Sequence, residues 1–502
     1  MTVAVLREGL GAALALCAWR LPRRVAAART TKISALLLDA FPVALGAVLL
    51  LALSARPLFS GLLLFALAAG LALADHVKRE VLREPVVFSD MSELPQIFTH
   101  PQLYLPFAGP RLVIGGAVTA GAGLLALLSL EPPLREPGGW PAILSLLLAG
   151  AGWALSRPKA LAAAARLLRR LEPSGEPFAD AARLGPWASL LVYGILARAE
   201  RAERRARHRP APAAPRRATP ELPLILVQCE SFFDARRLSP RLPRDLLPGF
   251  DALCAAGTSG RLDVPAWGAN TIRAEFAALT GIAEEELGYD RFNPYHAFAR
   301  APVNSLAWRL REAGYRTICL HPFDRGFFRR DRVLPGLGFE VFLGRESIGG
   351  RRSPPYLPDP DLARRLLETL DEAGERSFIF AITMGNHGPW GKASGPAEIA
   401  ALPQGGELAG YLAGLRRSDE MLRILRDGLD RRRFRGVFGF YGDHLPSLPQ
   451  TFRHLRFAES ASDYVLWRRE AAVPRRLDIG AQRLPELLFE TLEQADAYRL
   501  SA

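Results

Sequence analysis

The feature that most constrains this chain is its division into a strongly apolar first part and a mixed second part. Long apolar runs fill the sequence before about residue 156, and mixed globular sequence follows residue 220. Because about 20 apolar residues cross the hydrocarbon layer of a membrane, we expect the first part to be a membrane anchor. At 502 residues the chain also has room for a soluble domain with its own core.

The apolar runs predict four or five membrane spans within residues 1–156. Four stretches approach the required length: Ser34–Ala55, Pro57–Ala74, Leu112–Leu130 and Trp140–Leu155. Val3–Trp19 is a further candidate, weakened by Arg7 and Glu8. It lacks a signal-peptide cleavage pattern and is expected to stay attached, either as a span or as an amphipathic helix at the interface. Leu184–Ala197 is similarly ambiguous.

The basic charge of the chain is concentrated beside the apolar part. Of a formal net charge of +13, residues 157–219 contribute 14 Lys/Arg against 5 Asp/Glu. A basic stretch that directly follows an apolar segment indicates contact with anionic lipid or a topology signal, so we expect a membrane surface and no nucleic acid. Residues 199–220 are rich in Arg, Ala and Pro and predict a linker. The expected regions are 1–156, 157–220 and 221–502.

The second part has the pattern of an α/β domain. Short apolar runs occur at 222–229, 317–320, 377–383 and 437–441, and helical patterns at 304–314, 361–374 and 411–430. Alternation of strands and helices of this kind predicts a largely parallel sheet with helices packed against it.

Polar residues follow the predicted strands and suggest a metal site. Glu230 comes after the first strand, and Asp443 and His444 come after the last. Ligands collect beyond the carboxyl ends of strands in such sheets, and two carboxylates with one imidazole suit Mn²⁺, Mg²⁺ or Zn²⁺. Taken alone, Glu230 is as well explained as a helix cap.

A hydroxyl nucleophile is expected at Thr271, which stands on a small-residue turn before a helical stretch. A metal or a base can activate such a hydroxyl, and the start of a helix favours a bound phosphate. The alternative is that Thr271 only caps this helix.

These residues resemble the lipoteichoic acid synthase and phosphoglycerol transferase family, within the alkaline phosphatase and sulfatase superfamily. The resemblance covers about residues 222–450 and implies a sulfatase-like, alkaline phosphatase-like fold. It is carried by five motifs in order: Gln228-Cys229-Glu230-Ser231, Thr271 four residues before Glu275-Phe276, Phe328-Arg329-Arg330-Asp331, Asn386-His387-Gly388-Pro389 and Tyr441-Gly442-Asp443-His444.

The resemblance implies a role for each matched residue. Glu230, Asp443 and His444 would bind one divalent ion, Mn²⁺ in this family, with Thr271 as the fourth ligand and nucleophile. Arg330 and His387 would hold the phosphate or glycerol of the substrate. Two departures bear on substrate identity: Phe328 stands where Trp is frequent, and residues 350–358 are unusually rich in Arg and Pro.

The expected function is therefore that of a membrane-anchored phosphoglycerol transferase with an anionic phospholipid donor, phosphatidylglycerol, and a glycan or polymer acceptor. The resemblance implies a multi-pass protein of the cell (inner) membrane with an extracytoplasmic catalytic domain, although the basic residues between Arg20 and Lys32 favour the opposite orientation of their loop. A phosphoethanolamine transferase and a phosphodiesterase are the alternatives within the superfamily. A non-catalytic lipid or glycan binding module is the alternative from another class.

Overall fold

The computed structural model describes residues 2–134, 140–210, 221–348, 356–469 and 473–501. Contacts divide the chain into two compact units, Met1–Ala202 and Glu203–Ala502. We call them the helical unit and the sheet unit.

The helical unit is made of α-helices joined by short turns. Its helices are α1 Thr2–Val25, α2 Ile33–Ser54, α3 Pro57–Leu82, α4 Leu94–Thr99, α5 Leu105–Ala108, α6 Pro110–Leu130, α7 Trp140–Ser156, α8 Pro158–Arg169, α9 Pro177–Leu184 and α10 Pro186–Arg207, the last of which continues into the sheet unit.

Three of these helices, α2, α3 and α6, are long and apolar enough to cross a membrane. They contain three of the four predicted stretches. The fourth, Trp140–Leu155, lies in α7, which has 17 residues. At about 1.5 Å per residue α7 is roughly 25 Å long, slightly less than the ~30 Å thickness of the hydrocarbon layer.

Helix α1 contains the uncertain stretch Val3–Trp19 and packs closely against α3. A Cβ atom at Gly61 would lie 2.6 Å from the carbonyl oxygen of Gly11, and one at Gly11 would lie 2.5 Å from that of Pro57. Small residues at such positions allow two helix backbones to approach each other within a membrane bundle. The packing favours a place for α1 in the bundle over a separate interfacial helix.

A buried carboxylate, Asp39 of α2, connects several parts of the helical unit. It is fully buried, pairs with Arg23, and accepts a hydrogen bond of 2.9 Å from the indole nitrogen of Trp19. Its other oxygen accepts from the backbone nitrogens of Trp187 and Ala188, at 2.9 and 3.1 Å. Asp39 therefore satisfies free N–H groups in the first turn of α10 as an N-cap side chain would.

The region predicted as a linker, residues 199–220, is helical over its first part, since α10 continues to Arg207. Residues 211–220 lie outside the described part of the chain. The ambiguous stretch Leu184–Ala197 falls largely within α10, and its residues Val192 and Leu196 are buried. This burial accounts for its apolar residues without a membrane crossing.

The sheet unit is built on one nine-stranded mixed sheet. Its strands are β1 Leu224–Cys229, β2 Gly257–Asp263, β3 Arg316–Leu320, β4 Val341–Leu343, β5 Ser377–Ile382, β6 Val437–Gly442, β7 Ser462–Trp467, β8 Arg475–Arg476 and β9 Ile479–Gly480. The order is β4-β3-β5-β1-β6-β7-β2-β8, with β9 also pairing with β2. Strands β4, β3, β5, β1 and β6 are parallel, and β7 is antiparallel to both of its neighbours. The predicted largely parallel sheet is confirmed for these five strands.

Helices cover both faces of this sheet. They are α11 Pro248–Cys254, α12 Thr271–Thr280, α13 Glu284–Leu287, α14 Pro294–Phe298, α15 Leu306–Glu312, α16 Arg330–Val333, α17 Arg345–Ile348, α18 Asp359–Ala373, α19 Ala397–Ala400, α20 Gly405–Arg431, α21 Pro449–His454 and α22 Leu484–Ser501. Ile225 and Val227 of β1 join the core formed with α18 and α20, whereas Leu224 and Leu226 join the core formed with α12 and α22. Burial on both faces explains why β1, β5 and β6 read as short apolar runs without alternation.

Gly442, at the end of β6, is a position where this packing admits no side chain. A Cβ atom there would lie 1.8 Å from the carbonyl oxygen of Phe232. We expect Gly442→Ala to lower the free energy of unfolding by at least the roughly 1–3 kcal/mol typical of overpacking. Gly391→Ala is the matched control, because nothing lies within 4 Å of its Cβ position. Equal urea midpoints for the two variants in detergent would contradict this packing.

Candidate metal centre and nucleophile

The candidate site lies at the carboxyl ends of the central parallel strands. Strand β1 lies between β5 and β6, so the residues after these three strands meet at one edge of the sheet. Glu230 follows β1, His387 comes a few residues after β5, and Asp443 and His444 follow β6.

Glu230, Asp443 and His444 form a compact buried group in which one ligand atom of each lies within 4.8 Å of the others. The Nε2 atom of His444 is 3.5 Å from an oxygen of Glu230 and 3.6 Å from Oδ2 of Asp443. All three side chains are at least 95% buried. The sequence predicted that these residues meet, and the structure brings them together.

Neighbouring backbone and hydroxyl groups orient the three side chains. Oδ1 of Asp443 accepts from the backbone nitrogens of Ser231 and His444, at 2.8 and 2.9 Å. The hydroxyl of Ser231 donates to Glu230 at 2.8 Å. Nδ1 of His444 lies 2.9 Å from the carbonyl oxygen of Leu445, which can only accept, so this nitrogen carries the proton. In the neutral form of the ring, Nε2 then keeps its lone pair and can ligate a metal ion.

Two properties of Asp443 show that the group fits a divalent cation. Its Oδ2 atom is buried and has no hydrogen-bond partner among the described residues. Burial, with a further contribution from the negative charge of Glu230, raises the pKa of Asp443 to about 7. A cation held by the two carboxylates would satisfy Oδ2 and favour the charged form. Glu230, Asp443 and His444 would hold such an ion.

Thr271 is the first residue of α12, and its hydroxyl lies 3.5 Å from Nε2 of His444. The N-cap position belongs to Asn270, which has a left-handed backbone with φ of 65° and makes no side-chain capping bond. The alternative in which Thr271 serves only as a helix cap therefore finds no support in the geometry. Its hydroxyl faces the metal centre.

His387 lies at the same edge of the sheet and is partly buried. Its ring packs against Tyr356, with 5.5 Å between ring centroids. The pKa of Tyr356 is raised by burial and by the negative charge of Glu230. Tyr356 and His387 thus form an aromatic wall beside the carboxylates, and nothing in the sequence distinguished Tyr356. Most of the Arg- and Pro-rich segment 350–358 lies outside the described residues.

Arg330, which the resemblance assigned to substrate binding, is buried in an ion pair with another side chain. It is 1% exposed and forms a two-pronged ion pair with Glu275, with nitrogen–oxygen distances of 2.7 and 3.1 Å. A third nitrogen lies 3.2 Å from Nε2 of His321. Glu275 also accepts hydrogen bonds from Tyr295 and from the Gln228 amide. Arg330 therefore belongs to a buried polar network.

This network adjoins the candidate nucleophile Thr271 through α12. Thr271 and Glu275 are one helical turn apart, so the helix that presents the hydroxyl is anchored by the ion pair beneath it. In the sequence, Glu275 stood out only as part of the motif that contains Thr271. Its pairing with Arg330, 55 residues further along the chain, required the structure.

The fold and the site together define a membrane-anchored α/β protein with a buried carboxylate–imidazole centre beside a threonine hydroxyl. The sulfatase family model matches residues 224–475, and the chain belongs to this family, in the alkaline phosphatase and sulfatase superfamily. Family membership confirms the superfamily predicted from the five motifs.

The chain is similar to two proteins by sequence and to a third by fold. It is 30% identical over 422 residues to the capsular polysaccharide biosynthesis protein RkpI of Rhizobium meliloti, covering 79% of this chain and 75% of RkpI. It is 31% identical over 296 residues to a protein of the same organism provisionally named as a cyclic beta-1,2-glucan modification protein, covering 54% and 45%. The lipooligosaccharide phosphoethanolamine transferase EptA of Neisseria meningitidis has a similar fold at 14% identity and a TM-score of 0.56, covering 97% of this chain and 95% of EptA.

Replacing Asp443 tests the metal centre. We expect Asp443→Ala to lose a divalent ion that the parent retains, because a hard oxygen ligand is removed. Chelator-stripped parent protein should rebind metal less well below pH 7 than above it, since a proton then competes for Asp443. Elemental analysis measures both effects, with the exposed Glu398→Ala as control. Equal metal content in Asp443→Ala and the control would rule out this centre.

Replacing Glu275 tests the buried network. We expect Glu275→Gln to lower the free energy of unfolding by about 3–5 kcal/mol, because it leaves the charge of Arg330 buried without a partner. The control is Asp371→Asn, which breaks a similar two-pronged pair with Arg432 on the surface. That pair is expected to contribute less than about 1 kcal/mol. Urea unfolding of the full chain in detergent should separate the two variants, and similar midpoints would contradict the role of the network.

Proposed function

We propose that the chain is a metal-dependent phosphoglycerol transferase of the cell membrane that takes glycerol phosphate from phosphatidylglycerol and passes it to an extracytoplasmic glycan. The observation that carries this proposal is the position of the Thr271 hydroxyl, 3.5 Å from Nε2 of His444 in the candidate metal centre. A hydroxyl placed there can attack the phosphorus of a bound substrate. A non-catalytic binding module would not require a hydroxyl in this position.

The proposed reaction has two transfers. In the first, the hydroxyl of Thr271 gives up its proton and Oγ1 bonds to phosphorus, the bond from phosphorus to the diacylglycerol oxygen breaks, and that oxygen takes up a proton. In the second, an acceptor hydroxyl gives up its proton and bonds to phosphorus, and Thr271 leaves and takes up a proton. The divalent ion, Mn²⁺ by family resemblance, would lower the pKa of the threonine hydroxyl and offset charge on the phosphoryl oxygens.

The residues around Thr271 have separate proposed roles. Glu230, Asp443 and His444 would hold the ion, and Thr271 would be its fourth ligand. His387, on the aromatic wall with Tyr356, donates to a phosphoryl oxygen or protonates the leaving group. Arg330 positions α12 through Glu275. By family resemblance, Arg330 would also contact the phosphate or glycerol of the substrate.

A glycan acceptor is supported by the relatives. RkpI is named for capsular polysaccharide biosynthesis, and the second relative for modification of a cyclic glucan. Both names concern polymers of the cell envelope, and a phosphorylated substituent is a chemically direct modification of their free hydroxyls. Phosphoethanolamine transfer is the main rival, and it would use the same nucleophile with a different donor.

Intact-protein mass spectrometry tests the nucleophile and the donor together. After incubation of the purified full chain with phosphatidylglycerol, we expect a mass increase equal to glycerol phosphate less one water on the parent protein and none on Thr271→Ala. Thr271→Ala should remain folded, with a stability change below about 1 kcal/mol, since Asn270 occupies the cap position. Thr280→Ala, at the other end of α12, should retain the adduct.

The adduct also separates the rivals. Formation from phosphatidylethanolamine alone would favour the phosphoethanolamine transferase. An adduct from phosphatidylglycerol that is released by water and by no glycan acceptor would indicate the phosphodiesterase. An adduct that persists in folded Thr271→Ala would refute the assigned nucleophile.

The proposed function requires the sheet unit to lie on the extracytoplasmic side of the inner membrane. Helices α1, α2, α3, α6 and α7 would make five crossings from a cytoplasmic N-terminus, and the packing of α1 on α3 supports counting α1 among them. We expect a C-terminal alkaline phosphatase fusion to be active and a green fluorescent protein fusion to be dark. Cytoplasmic fluorescence without phosphatase activity would exclude transfer to an external glycan.

A further inference from the structure

A surface cavity of about 360 Å³ lies in the helical unit where α1 ends and the chain turns toward α2. It is lined by four arginines and two alanines: Arg20, Arg23, Arg24, Ala27, Ala28 and Arg29. Cavities that bind small ligands measure about 300–1,000 Å³, so this one has the size of a small-ligand site.

The charge around this cavity is largely uncompensated. Arg20, Arg24 and Arg29 are exposed, and none of them forms an ion pair with a carboxylate in the described ranges. Only Arg23 has such a partner, the buried Asp39. Like charges held around one cavity repel each other, and a bound anion would relieve this repulsion.

The cavity is formed by a defined turn and not by loose side chains. Arg23 is held by Asp39 and lies over the ring of Trp19, 4.9 Å from its centroid. Ala27 adopts a left-handed backbone with φ of 49°, and the backbone nitrogen of Arg29 donates to the carbonyl oxygen of Ala182 at 2.8 Å. These contacts fix the path of the chain between α1 and α2.

The position of the cavity indicates which anion it meets. Arg29 is four residues before Ile33, where the candidate span α2 begins. The end of a span lies at the level of the lipid head groups, just outside the hydrocarbon layer. Guanidinium groups bind phosphate oxygens with two parallel hydrogen bonds and are well suited to this layer.

We propose that this arginine cavity binds the phosphate of an anionic phospholipid head group. The site is separate from the metal centre, and the proposal holds whether or not the bound lipid is also the donor. If these arginines were only a topology signal, their positive charges alone would be sufficient. The fixed turn and the cavity are features that binding of a head group requires.

Native mass spectrometry of the purified full chain, titrated with phosphatidylglycerol in detergent, measures lipid retention. Replacing Arg20, Arg24 and Arg29 together by Gln should weaken retention on the order of a hundredfold, because each lost arginine contact with an anionic lipid reduces affinity by roughly fivefold. The matched control replaces the exposed Arg431, Arg433 and Arg435 by Gln, with the same change of charge at residues that do not line this cavity. A loss below about tenfold, or an equal loss in the control, would overturn the proposal.

A second variant keeps every arginine. Ala28→Phe fills the cavity without changing the charge, and it should also weaken retention of phosphatidylglycerol. Unaltered retention by folded Ala28→Phe would show that lipid binds elsewhere. Inorganic phosphate provides the last comparison, since a lipid site should release phosphatidylglycerol only at a large excess of free phosphate. Displacement at equal concentrations would assign the cavity to soluble phosphate and refute the lipid assignment.

Discussion

Burial of two neighbouring carboxylates is the constraint around which the site is organised. Glu230 and Asp443 follow adjacent parallel strands, so pairing of β1 with β6 brings their side chains together. The raised pKa of Asp443 reflects the cost of keeping both charges away from water. Backbone donors satisfy only one oxygen of Asp443. A cation held by the two carboxylates would supply the remaining compensation, and the imidazole of His444, beside Thr271, would be a third ligand.

The second constraint is the orientation of helix α12, which carries Thr271. Helix α12 presents Thr271 to His444 and Glu275 to Arg330, one turn apart. Because the Arg330–Glu275 pair is fully buried, breaking it leaves a charge without a partner, which strongly favours one arrangement of the helix. His321 is also buried in this network, and burial together with the charge of Arg330 holds its pKa well below the usual range. A neutral His321 can accept a hydrogen bond from Arg330.

Much of the central sheet could be predicted from the sequence, whereas its antiparallel edge could not. Strands β1, β3, β5 and β6 are compact apolar runs, and residues that follow three of them supply the metal centre and His387. Strand β2, by contrast, has the sequence Gly257–Asp263 with only two fully buried positions, so neither apolar length nor alternation marks it. Its place depends on pairing with β7, about 200 residues later.

Side-chain roles were less predictable than positions. The sequence predicted that Glu230, Asp443 and His444 would meet, because strand ends converge in a parallel sheet. It did not predict that Arg330 would face Glu275, since a motif gives the order of residues and not the direction of a side chain. Tyr356 was missed for a related reason. Its contact with His387 joins two loops that have no shared sequence pattern.

Helix α10 has a buried carboxylate near each of its ends. A carboxylate within an apolar span is costly unless it is paired, and Asp39 is compensated by Arg23, Trp19 and the first turn of α10. Helix α10 then runs from this fixed start to Arg207, beyond the boundary of the helical unit at Ala202. Within the sheet unit, Arg204 near the end of α10 pairs with the buried Asp290. The first turn of α10 thus donates to a buried carboxylate, and its last turn carries one member of a buried ion pair.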